Sequence, residues 1–267
     1  MEEGNKISGL GSNDAGGSLV ALLATFCHFY LRQDLTYNLI FSATAEEEIS
    51  GEKGVASILQ ELPEISFALV GEPTSMQVAI AEKGLMVLDC YAHGIAGHAA
   101  RDEGVNALYL ALEDIRMLRD FKFDKVSELL GPVKLTVTQI QAGTQHNVIP
   151  DTCHFVVDVR TNEYYHNEEI FRIISGLLRS EVKARSFRLN SSSLSYDHPF
   201  IQKAREMDLV LYGSPTTSDQ AVIPWPSVKM GPGDSARSHT ADEYILKSEI
   251  IRGFELYCQI LEGLQLS

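Results

Sequence analysis

Cationic side chains are scarce in this chain. Its 267 residues include 22 lysines and arginines against 36 aspartates and glutamates, a formal net charge of −14. Affinity for nucleic acid rests on Lys and Arg neutralising phosphates, so the shortage excludes a general nucleic-acid surface and a basic membrane-surface patch. Paired cysteines are lacking too. Cys27, Cys90, Cys153 and Cys258 lie far apart and form no CxxC pair. That excludes a zinc knuckle or redox dithiol and argues against a disulfide framework. Reduced, partly buried thiols in a cytoplasmic compartment are expected. No long apolar run exists: LVALLATFCHFYL, 19–31, falls short of the roughly 20 residues that span a bilayer and contains His28. It reads as a buried helix. The opening MEEGNKISG is polar and acidic, unlike a signal peptide. Repeats, low-complexity tracts and obvious linkers are missing from the sequence as well.

What is present is an ordinary globular composition, 45% apolar, long enough for one large domain or two modest ones. GLGSNDAGGS (9–18) is turn-rich and leads into the helix around 19–31. YNLIFSA (37–43) has strand content, GEKGVASILQEL (51–62) has helical spacing before Pro63, and SFALVGEPTS (66–75) is a second apolar strand. Strand, helix and strand of that kind predict a parallel sheet covered on both faces. The texture then changes. GLMVLDCYAHG (84–94), VKLTVTQIQAG (133–143) and CHFVVDVRTNE (153–163) alternate apolar and polar residues, as antiparallel strands with one covered face do. NALYLALEDIRML (106–118) and NEEIFRIISGLLRSEV (167–182) are helical. From about Pro199 the first texture returns, with a helix, the strand PSVKMG (226–231), a polar loop and a final helix over 248–264. The reading is α/β, a discontinuous domain of 1–80 and 188–267 with an α+β domain of 81–187 inserted.

Four loops at the ends of predicted strands carry acidic or imidazole groups. Glu46, Glu47 and Glu48 follow the strand 37–43, and Glu72 follows the next. Asp14 sits in a glycine-rich turn, and His239 lies in GPGDSARSHTADEY (231–244). A bare EEE is most often the solvated first turn of a helix, where acids suit the positive end of the macrodipole. Asp14 alone would be a capping turn, and a lone His is usually structural. Position shifts the balance, because open α/β sheets place their ligand sites beyond the carboxyl ends of strands. Asp14, Glu48, Glu72 and His239 together suit Zn²⁺, or Co²⁺ and Mn²⁺. Cations also resolve the repulsion among clustered acids.

TAEEEISG, GEPT, GHAAR, NVIPD, VDVR and SHTADEY, in this order and spacing from Gly9 to the end of the chain, resemble the M20 metallopeptidase family. Within it the resemblance is strongest to the acetylornithine deacetylase and succinyl-diaminopimelate desuccinylase type. It implies a zinc-peptidase-like catalytic domain with an inserted α+β dimerisation or lid domain, two Zn²⁺ per subunit and a homodimer. The implied activity is hydrolysis of the amide of a small N-acyl amino acid, of the N-acetylornithine kind that serves arginine biosynthesis. By the same resemblance Asp14 bridges the metals, Glu72 ligates the first, Glu48 and His239 ligate the second, and Glu47 is the general base. His98 is the oxyanion-binding histidine supplied by a partner subunit's inserted domain, and Asn147 and Arg160 are substrate contacts. The family's His-x-Asp motif, which supplies a further ligand upstream of the bridging aspartate, is not found before Asp14. The expectation is therefore a chain lacking roughly the first quarter of a family member, with one metal site complete and the other reduced to Asp14 and Glu72. The alternatives are an impaired fragment that only dimerises or binds, and an M20 dipeptidase.

Overall fold

The structure is a computed structural model that describes residues 1–101 and 103–266. The chain divides into two units, Met1–Glu82 with Ser193–Ser214 and Ser218–Ser267, and Lys83–Ser192 with Pro215–Thr217. The second unit thus interrupts the first in sequence.

In the first unit, β1 (Glu2–Glu3) pairs antiparallel with β2 (Lys6–Ser8). A turn over residues 9–16 then enters α1 (Gly17–Phe29). This helix buries Gly17, Ser18, Ala21, Thr25 and Phe29, a single stripe. Gly17 within it packs against Ile245; a Cβ there would lie 2.1 Å from its Cδ1. The expected buried helix is therefore buried on one side only, and Leu19, Val20 and Leu23 are 43%, 52% and 44% exposed.

Two further expectations change. Residues 37–43 form no strand. A strand needs a neighbour for its N–H and C=O groups, and the chain here is tied instead by Thr36 Oγ1 and Tyr37 Oη, which donate to the carbonyls of Leu264 and Leu261. The helix predicted over 51–62 shrinks to one 3₁₀ turn, Val55–Ser57. Within that segment only Gly54 is buried, so no apolar stripe is covered, and tertiary burial is what stabilises short helices. The strands β3 (Ala68–Val70) and β4 (Val78–Glu82) follow.

The second unit holds β5 (Gly84–His93), β6 (Gly97–His98), α2 (Ala107–Asp120), β7 (Lys134–Ala142), β8 (Val148–Ile149), β9 (Thr152–Thr161), α3 (Asn167–Leu177) and β10 (Glu181–Ala184). Its main sheet has the order β10-β5-β9-β7, antiparallel throughout. The alternation read from the sequence is the pleat itself. Met86, Leu88, Cys90, Phe155, Val157 and Val159 point into a core completed by α2 and α3. Asn106 caps α2, its side chain accepting from Leu108 N.

The chain then returns through β11 (Ser192–Ser193), α4 (Pro199–Glu206), β12 (Leu211–Ser214), β13 (Ser227–Lys229), β14 (Tyr244–Leu246) and α5 (Lys247–Leu261). The sheet of the first unit runs β11-β4-β13-β3, with β12 also on β4. It is mixed rather than parallel: β12–β4 and β13–β3 are parallel, whereas β13 meets β4 antiparallel. Its centre carries a buried ion pair, Lys229 Nζ to Glu82 Oε2 at 3.1 Å. β14 adds to β2, so the turn holding Asp14 is flanked by a three-stranded ribbon.

Candidate metal centre

Asp14, Glu48 and His239 come together in the first unit. Their ligand atoms all lie within 4.8 Å of one another, although 34 or more positions separate each from the next. His239 Nε2 stands 3.6 Å from Asp14 Oδ2 and 3.7 Å from Glu48 Oε2. Both distances are too long for good hydrogen bonds. They are close to the ligand–ligand edge of about 3.4 Å in a tetrahedral site with bonds near 2.1 Å. Two carboxylates and an imidazole at that spacing suit a divalent cation such as Zn²⁺. Asp14 follows β2, Glu48 lies in a 3₁₀ turn (Glu47–Ile49), and His239 lies in the loop between β13 and β14. Only Glu72 and His239 therefore follow strands of the mixed sheet. His239 adopts φ +57° and Glu46 φ +59°, a region that side chains other than glycine rarely occupy and that clusters at functional sites.

Glu47 and Glu72 supply the electrostatics. Burial pushes the Glu47 carboxyl up to about 7, helped by the charges of Asp219, Glu48 and Asp14 and opposed by Lys229. Burial holds Glu72 well above the usual carboxylate range, and Glu47 and Asp14 add to the rise. A bound cation reverses that logic, because it favours the charged carboxylates. Glu72 is not within the group of three ligand atoms, and among the described residues that group is the one set of its kind. Glu46 serves the loop itself, its Oε2 accepting from Lys53 N.

The remaining candidates belong to the second unit. His98 on β6 pairs with Val148 of β8, and Ala99 N donates to Asn147 O at 2.9 Å, so His98 and Asn147 share one small ribbon. Both are exposed. The imidazole Nδ1 accepts from Ala100 N at 3.1 Å, which leaves Nε2 outward. Arg160 on β9 forks onto Asp158, its Nε and Nη2 donating to Oδ1 and Oδ2. It lines an open hollow with Lys83, Lys134, Thr136 and Thr138. Burial there lowers the Lys83 pKa, with Lys134 and Arg160 adding to the effect.

Two residues outside the predicted ligand set organise the centre. Glu243, 3% exposed, accepts from the backbone of Gly11, Asn13 and Asp14. Asn13, fully buried, bonds Asp234 and Ser238. Both stand inside the quoted stretches GSNDAGG and SHTADEY, and adjacency to Asp14 and His239 was the available signal. Their bonds to backbone leave no pattern in sequence.

Comparison with known proteins places this geometry in context. Residues 80–186 match the family described as a peptidase dimerisation domain. A peptidase M20 domain-containing protein of Schizosaccharomyces pombe is 29% identical over 266 residues, covering 96% of this chain and 63% of that protein. A succinyl-diaminopimelate desuccinylase of Rickettsia bellii is 24% identical over 273 residues, covering 98% and 66%. The chain thus spans just under two thirds of these curated relatives. Among solved structures, the aminopeptidase PepT of Bacillus cereus shares the fold with a TM-score of 0.75 at 16% identity, over 98% of this chain and 75% of that one. No described helix is long and apolar enough to cross a membrane.

Proposed function

We propose that the chain is an M20-type metal-dependent hydrolase cleaving the amide of a small N-acyl amino acid, a reading supported by its match to a peptidase dimerisation domain and its similarity to M20 relatives. The observation that carries this reading is the convergence of Asp14, Glu48 and His239 beside Glu47. In it, Asp14, Glu48 and His239 hold a divalent cation, Zn²⁺ by chemistry of the donor set, with Co²⁺ or Mn²⁺ as alternatives. The chemistry such a cation supplies is polarisation of the amide carbonyl and acidification of water. Glu47 takes the proton of the attacking water and passes it to the leaving amine, the general acid–base role of a positioned carboxylate. Glu72, held deeper by burial, supports a second cation with Asp14.

The second unit carries the substrate contacts in this reading. His98 of a second copy donates from Nε2 to the oxyanion as the amide opens. Arg160, whose Nε and Nη2 already fork onto Asp158, offers its remaining Nη donors to a substrate carboxylate, and Asn147 contacts the substrate beside His98. A homodimer through the second unit follows, supported by its match to a dimerisation domain. Its four free cysteines agree with a reducing, cytoplasmic setting. The sequence resemblance favours N-acetylornithine, and the relative named above favours N-succinyl-diaminopimelate.

Turnover of N-acetylornithine, N-succinylornithine, N-succinyl-diaminopimelate and dipeptides by Zn²⁺-loaded chain tests the proposal. Hydrolysis of at least one N-acyl amino acid, lost with a chelator, is expected. Turnover of dipeptides alone would sink the deacylase reading in favour of an M20 dipeptidase. One observation favours a second reading, a binding or dimerisation module with little chemistry: Glu72 has no third ligand within reach among the described residues. Dimers without turnover of any substrate in the panel would establish it.

A further inference from the structure

Glu243 is a carboxylate almost wholly removed from water, and its partners are backbone N–H groups. Oε1 accepts from Asn13 N at 2.8 Å and Asp14 N at 3.0 Å, and Oε2 accepts from Gly11 N at 3.0 Å. The Glu243 carbonyl also accepts from Gly9 N. A buried carboxylate is costly unless its lone pairs are satisfied, and here the turn 11–14 wraps its donors around one side chain. The stitch continues on the other side. Asn13 Oδ1 accepts from Asp234 N at 3.1 Å, while Nδ2 donates to Asp234 O at 3.0 Å and Ser238 Oγ at 3.2 Å. Gly233, at φ +91°, makes the approach possible, since a Cβ there would stand 2.4 Å from Asn13 Oδ1. Asp14 and His239 are the immediate chain neighbours of Asn13 and Ser238. Two loops more than 200 positions apart are thereby held as one piece, with a candidate ligand on each.

We propose that Glu243 is a positioning residue for the metal centre: through the backbone of Gly11, Asn13 and Asp14 it sets the Asp14 carboxylate against the His239 imidazole, and Asn13 completes the linkage. The inference rests on the metal reading above and adds to it the residue that preorganises the ligands. Ligands held in place before binding lose less freedom when the cation arrives, and outer-shell partners of this sort typically change metal affinity by about 10–100-fold. A purely structural Glu243 would change stability and leave affinity alone.

The test is titration of the metal-free full chain with Co²⁺, followed by its visible absorption, for the native sequence, Glu243→Ala, Glu243→Gln and Asp114→Ala. Asp114 is a stability control in the second unit, a fully buried carboxylate that accepts from Arg179 N, Ser180 N and Ser180 Oγ. Thermal melts of each apo protein accompany the titrations. The expected result is Co²⁺ affinity weakened about 10-fold or more in Glu243→Ala, with an altered absorption band. Glu243→Gln, which keeps acceptor oxygen in place, is expected to weaken binding less, and Asp114→Ala to bind as the native chain does despite its lower melting temperature. Should Glu243→Ala fail to fold, Glu243→Gln decides through its band and affinity. Native affinity and band in a folded Glu243 variant overturn the proposal while leaving the metal reading intact. No Co²⁺ binding by the native chain overturns the metal reading, and this inference with it.

Discussion

Glu47 and Glu48 are adjacent in sequence yet meet different surroundings. Glu48 is half exposed beside His239, free to ligate, whereas Glu47 is half-buried in an acidic setting that raises its pKa. The division of labour predicts separable losses. Glu47→Gln is expected to lower turnover by about 10²–10⁴-fold with the bound metal retained, and Glu48→Gln to weaken metal binding itself. Turnover and metal content measured on the same samples check this, and retained turnover in Glu47→Gln contradicts it. A second residue-scale prediction concerns Asp89. Arg185, and more weakly His154, hold its carboxyl down at about 2, against an ordinary 3.8. A depressed carboxylate pKa contributes stability that is present above the ordinary value and lost as pH falls from about 4 toward 2. The contribution is on the order of 2 kcal/mol, reduced somewhat because Asp89 is partly exposed. Melting temperatures of Asp89→Asn and native chain should differ at pH 6 and converge only as pH approaches about 2; a constant difference contradicts the assignment. At this scale Asp14, Glu48, Glu72 and His239 stood out as candidates because acids and histidine occur in distinctive short motifs, and the structure brings Asp14, Glu48 and His239 together. Glu243 and Asn13 were not, because a side chain that serves backbone donors looks like any polar residue.

The elements divide by what covers them. The strands at 84–93, 134–142 and 152–161 were readable because one face is packed on α2 and α3 and the other is not, so the pleat imprints alternation on the sequence. The stretches 37–43 and 51–62 have strand and helix composition but no partner and no covered stripe, and propensity alone forms neither element. The centre of the mixed sheet gives the prediction at this scale. Lys229 on β13 and Glu82 on β4 are paired at 4% and 0% side-chain exposure, and Ser218 Oγ donates to the same carboxylate. Removing one partner leaves a buried charge, so Lys229→Ala is expected to cost about 3–5 kcal/mol. Chemical denaturation measures it, and a loss below about 1 kcal/mol would contradict a tightly paired site.

For the whole chain, a net charge of −14 and the acidic set Asp14, Glu47, Glu48 and Glu72 set up a potential that favours cations over phosphate polymers. The sequence changes texture near residue 84, and the structure divides into two units at Glu82. The ribbon β1-β2-β14 around the Asp14 turn was not legible, since its strands are two or three residues long. Hydrolysis in this reading depends on Asp14, Glu48 and His239 holding a divalent cation. The most direct test is calorimetric titration of the metal-free chain with Zn²⁺, beside Asp14→Ala and His239→Ala. The expected result is at least one tight Zn²⁺ per native chain, with affinity reduced 100-fold or more (about 2.7 kcal/mol) in both variants. Native chain that takes up no Zn²⁺, or variants that bind it as tightly as the native chain, would contradict the claim.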